Sequence, residues 1–173
     1  MKFDKVNFGF ILLTIFLQLS FFSNFKILGA TANIVLGFVV WLALTSDIDS
    51  IIISSYVGGF LLDLYSASPF GLNIFGLLIT GFVIFFMTNE VFKKGGVQTY
   101  PLFLVFGFAF YRMLAFAFSY FSQWWSESVP VTLSGLFHIE FFYSLVYTLV
   151  ISMLIIYLHD KFFMNDQKKA RYF

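Results

Sequence analysis

The sequence predicts an all-α membrane protein, a bundle of about six transmembrane helices in one domain (residues 1–173) with both termini cytoplasmic. Three observations carry this. The chain is 60% hydrophobic, 23% aromatic and 11% charged, too few polar residues to cover a soluble domain of 173 residues. Its apolar residues fall in six runs, near 6–28, 32–45, 50–65, 71–88, 99–122 and 133–158. Its basic residues fit one orientation of those runs. Six crossings from a cytoplasmic N-terminus place Lys2, Lys5, Lys93, Lys94, Lys161, Lys168, Lys169 and Arg171 inside, with only Lys26 outside and Arg112 within the membrane. Reading 32–65 as a single crossing would move Lys93, Lys94 and the basic tail outside, so it is rejected.

The first run follows Lys2 and Lys5 and precedes Ala30-Thr31-Ala32, which mimics a signal-peptide cleavage site. The run is long, and Asn24 and Lys26 separate it from that tripeptide, so it is expected to be retained. Thr14 and Gln18 mark a weak polar face on it. The second and third runs fall short of the roughly 20 residues a crossing needs. They are two short helices or one hairpin that does not fully cross, and both options return the chain to the same side. Ser46-Asp47-Ile48-Asp49-Ser50 offers helix caps between them.

In the third run Ser55, Gly59 and Asp63 are four residues apart, and Ser54 and Gly58 form a second row. Such small-residue rows let helices approach closely. Ser66 to Gly71, with Pro69, breaks the chain before the fourth run, where Gly76 and Thr80 repeat the pattern. Gly95-Gly96 is a cytoplasmic turn. The fifth run holds Arg112. The exterior loop near 121–134 carries Trp124, Trp125, Glu127 and Pro130. Its paired Trp suit the outer aromatic belt and are candidate partner contacts. In the sixth run Glu140, Tyr143, Ser144, Tyr147, Thr148 and Ser152 form a polar stripe expected to face other helices.

Asp63, Arg112 and Glu140 stand inside apolar runs, where a charge costs about 2.5–3.5 kcal/mol on insertion scales. Counting helical rise puts all three roughly 20 Å above the inner face. They are therefore expected to form one structural charge cluster, with the Arg112 guanidinium forked between two carboxylates, one of which can stay protonated. Separate snorkelling to the outer interface and a proton or ion pathway remain the alternatives.

Little else suggests chemistry. There is no Cys, His occurs only at 138 and 159, and the net charge of +1 offers no basic patch for nucleic acid. Ser134 and His138 are a helical turn apart, but no orienting group or oxyanion feature accompanies them. No catalytic, cofactor or metal site is expected.

The stretch Ala32-Asn33-Ile34-Val35-Leu36, then Gly58-Gly59-Phe60-Leu61-Leu62-Asp63-Leu64 and Ser66-Ala67-Ser68-Pro69-Phe70-Gly71, resembles the rod shape-determining protein MreD family. Ala32 departs from it, standing where Pro is expected before the Asn. The resemblance implies a non-enzymatic scaffold or regulator of bacterial cell elongation and peptidoglycan synthesis, multi-pass in the cytoplasmic membrane. It implies association with an MreC-like bitopic protein. Through that protein it implies links to an MreB-like actin homologue, a RodA-like glycosyltransferase and its transpeptidase. MreD is also similar in architecture to the substrate-binding subunits of vitamin-type transporters, and that is the alternative function. In that reading Asp63, Arg112 and Glu140 would line a ligand pocket.

Overall fold

The computed structural model describes residues 5–22, 30–66, 69–91, 99–122 and 139–159. Among these residues the helices are α1 (Lys5–Leu17, continued by a π-helical turn, Gln18–Phe22), α2 (Ile34–Thr45), α3 (Ile48–Tyr65), α4 (Leu72–Phe86, continued by a second π-helical turn, Met87–Val91), α5 (Tyr100–Ser122) and α6 (Ile139–His159). The protein is an all-α membrane protein. Four of the helices, α3 to α6, are long and apolar enough to cross a membrane, and the apolar parts of α1 and α2 are shorter.

The short second run is the centre of the molecule. α2 packs against all five other helices, and Ile34 to Ala43 are all buried. It is apolar on every side because it has almost no outward side, the pattern of a buried helix. Its 12 residues rise only about 18 Å, short of a hydrocarbon core of about 30 Å. A helix that short leaves backbone outside regular structure within the bundle, at residues 30–33.

α3 and α4 form the most extensive helix pair, antiparallel and very close. A Cβ on Gly59 would lie 2.5 Å from Ile74 Cα and 2.7 Å from Ile74 N, so here backbone touches backbone. One turn back along α3, the Ser55 hydroxyl donates to the Leu77 carbonyl at 3.5 Å. The next contact places Gly81 against Ile51. The neighbouring row faces elsewhere: Gly58 lies against Val35 of α2 and Ile11 and Ile15 of α1. Gly76 receives the Tyr111 ring from α5. Small residues therefore set the spacing at each of these crossings, where a Cβ would displace a neighbour.

Five of the polar positions that the sequence marks on the first and sixth helices point inward. Thr14, Gln18, Ser144, Thr148 and Ser152 are all buried. Tyr143 and Glu140, at the start of the α6 stripe, are exposed from the protein.

Candidate functional site

Asp63 is 4% exposed and sits half a turn before the end of α3. The chain then turns through Pro69, whose carbonyl accepts from Leu72 N at 3.2 Å, and enters α4. Helix α4 starts with a deficiency. Its N-cap residue is Gly71, which has no side chain to receive the free N–H groups of the first turn. Asp63 supplies that function from the preceding helix. Its Oδ2 accepts from Gly71 N at 3.0 Å and Ile74 N at 3.2 Å. Its Oδ1 accepts from Asn73 N at 3.0 Å and from Asn73 Nδ2 at 2.8 Å. Gly71 has φ of 98°, a conformation glycine adopts without a steric penalty, and this helps aim its N–H back at the carboxylate. The positive end of the α4 dipole reinforces the arrangement.

From Asp63 the network runs on through Asn73. Its Nδ2 also reaches Ser66 Oγ at 3.4 Å, and its Oδ1 accepts a short hydrogen bond from the buried Tyr111 hydroxyl of α5. The Tyr111 hydroxyl lies beside the side chain of Asn33, which caps α2 by accepting from Leu36 N at 3.1 Å.

A second group of polar side chains holds the irregular backbone before α2. Gln18, the first residue of the π-helical turn, donates from Nε2 to the Ala32 carbonyl at 2.7 Å and accepts at Oε1 from Ile34 N at 2.8 Å. From α6, Thr148 Oγ1 accepts from Asn33 N at 2.9 Å, and Ser144 donates to the Thr31 carbonyl at 2.7 Å. Non-helical backbone at membrane depth persists only where protein satisfies its polar groups, and Gln18, Ser144 and Thr148 do so here. Gln18→Leu should therefore lower stability by about 2 kcal/mol, since it orphans one buried N–H and one carbonyl. Thermal unfolding of the purified variant in detergent checks this, and an unfolding temperature equal to that of the unsubstituted protein would contradict it.

The expected charge cluster is not what the structure holds. Among the described residues no ion pair joins Asp63, Arg112 and Glu140. Asp63 is occupied by the α4 N-terminus. Arg112 is exposed from the protein, with its guanidinium 5.6 Å from the centroid of the Phe108 ring. Glu140 is exposed in the first turn of α6, a position the helix dipole favours for an acid. The Phe108 ring beneath Arg112 packs on that of Phe141, the residue after Glu140, with centroids 5.4 Å apart.

The counter-charge that sequence reasoning sought in another side chain is a helix N-terminus. One signal for it was present: Asp63, a short Pro/Gly turn, and a helix opening with Gly71 and no capping side chain. Gln18, Asn33, Asn73 and Tyr111 complete the network; of these the sequence singled out Gln18 for its polar face and Asn33 for the family resemblance. Trp124, Trp125, Ser134 and His138 lie outside the described residues. No group of three or more His, Cys, Asp or Glu that could hold a metal occurs among the described residues.

Comparison of the chain with protein-family models, with curated proteins and with solved structures gives no match.

Proposed function

We propose that this protein is a non-catalytic membrane scaffold of the bacterial cell-elongation machinery, the role its likeness to MreD implies. The observation that carries the proposal is the use made of the intramembrane carboxylate. Asp63 is spent on holding α3 to α4, with its oxygens filled by four donors, and little of it is left for a ligand or a proton path. The polar interior fixes backbone, and most of what the described residues turn outward is apolar helix surface, including Phe75, Phe82 and Phe86 on α4 and Leu102, Phe106 and Met113 on α5. Surfaces of that kind suit lateral contact within a bilayer.

In this reading the chain crosses the bacterial cytoplasmic membrane six times, with both termini cytoplasmic as the Lys and Arg distribution favours. An MreC-like bitopic protein is its direct partner, and the actin homologue, glycosyltransferase and transpeptidase follow through that partner. The transporter alternative needs Asp63, Arg112 and Glu140 around one pocket; among the described residues Asp63 is turned to the α4 N-terminus, while Arg112 and Glu140 are exposed. A cavity of about 260 Å³ lies between α3 and α4, lined by Ile48, Ile51, Ile52, Leu78, Ile79 and Phe82. Its lining is apolar and lacks the convergent polar groups by which a site orients a small ligand.

Depletion of the protein in a rod-shaped bacterium that carries it should give rounded cells within a few generations, reversed by re-expression. Microscopy that finds unchanged rods after confirmed depletion overturns the proposal.

A further inference from the structure

Arg112 is the unexplained charge. It is exposed from the protein, ten residues before Ser122, the last described residue of α5, so its Cα lies at least about 15 Å along the helix from its outer end. An arginine can escape hydrocarbon by extending its side chain toward a headgroup. This one folds the other way. Its guanidinium rests on Phe108, one turn earlier and level with the middle of the helix. The contact with the ring is worth about 0.5–2 kcal/mol, less than the penalty for a charge at that depth. Among the described residues no carboxylate pairs with it.

The surroundings suit a helix. Ala109 and Ala115, three residues to either side of Arg112 on α5, are half-buried and small, so a neighbouring backbone can come close. A guanidinium presents a planar fork of donors that matches a carboxylate in two parallel hydrogen bonds. We infer that the Arg112 face of α5 docks a transmembrane helix of another protein that carries a Glu or Asp near the middle of its span. The charge depth favours this occupant over a lipid headgroup, whose phosphate stays at the interface. The inference follows from the cation and its setting and does not depend on the cell-elongation role.

The test uses the full-length protein in phosphatidylcholine vesicles with a Leu/Ala transmembrane peptide bearing one central Glu. Association is read by energy transfer between labels. The Glu peptide should associate about tenfold more tightly than its Gln counterpart. Arg112→Leu and Arg112→Gln should each abolish that preference while leaving the unfolding temperature unchanged. Arg112→Glu should shift the preference to a peptide with a central Lys. Equal association of the Glu and Gln peptides with the unsubstituted protein overturns the inference, as does a preference that survives both neutral variants. Two further results overturn it. One is Arg112-dependent retention of added phosphatidylglycerol without peptide preference, which would make a lipid the ligand. The other is self-association lost in both Arg112→Leu and Glu140→Gln, which would make a second copy the occupant. Because no elongation protein is present, failure here is distinct from failure of the depletion experiment.

Discussion

Asp63→Ala should destabilise the protein by about 3–4 kcal/mol, the largest loss expected from any single side-chain truncation in it. The substitution removes the acceptor for Gly71 N, Asn73 N, Asn73 Nδ2 and Ile74 N together. Among the described residues no other side chain caps α4, whose N-cap is glycine. Asp63→Asn should cost about 2 kcal/mol, because its amide turns a donor toward backbone donors and loses the interaction with the helix dipole. Thermal unfolding in detergent ranks the two variants. The cause is separable from an ion pair by a double-mutant cycle. Arg112→Leu alone should change little, and its effect should simply add to that of Asp63→Ala. A coupling above about 1 kcal/mol between Asp63 and Arg112 would restore the ion pair and remove the capping explanation.

Gly59→Val should be as damaging through a different route, about 3 kcal/mol or more, with reduced abundance in the membrane. At this position the obstacle is backbone, Ile74 Cα and N, which cannot rotate away as a side-chain tip can. Relief requires α3 and α4 to separate by an ångström or more, and that separation draws Asp63 off the N–H groups one turn beyond. The two substitutions should therefore be less than additive when combined, since each removes the same capping. Gly59→Ala is the milder test and should fall between the unsubstituted protein and the valine variant. If Gly59→Ala unfolds at the temperature of the unsubstituted protein, the close α3–α4 approach is not what holds the helices in register.

The helices were legible because hydrophobic runs and turn residues are local signals. The expected runs and the helices agree within about two residues wherever the structure describes their ends, apart from α4, whose helical path runs on through its π turn. The inward faces of α1 and α6 were legible for the same reason: Thr14 and Gln18, and Ser144, Thr148 and Ser152, keep helical spacing, and a polar stripe in an apolar helix prefers other helices to lipid. The partner of Asp63 was missed because charge was matched to charge. Depth along each run says nothing about the direction a side chain takes around the helix axis, and three residues at one height can face three ways. Asn73 and Tyr111 were missed because each looks unremarkable until α4 and α5 are brought together at Gly76.

The sequence by itself determined that this chain is a helical membrane protein, where its helices run, and that positions such as Thr14, Gln18, Gly59, Ser144, Thr148 and Ser152 turn away from lipid. Those properties depend on neighbours three or four residues away, so they can be read in a line. Only the tertiary structure decided that the shortest run is the buried centre, that Gln18, Ser144 and Thr148 hold the irregular backbone before it, and that Asp63 serves a helix end instead of an arginine. Each depends on how residues far apart in the chain come together, which the packing of the helices fixes and local spacing does not.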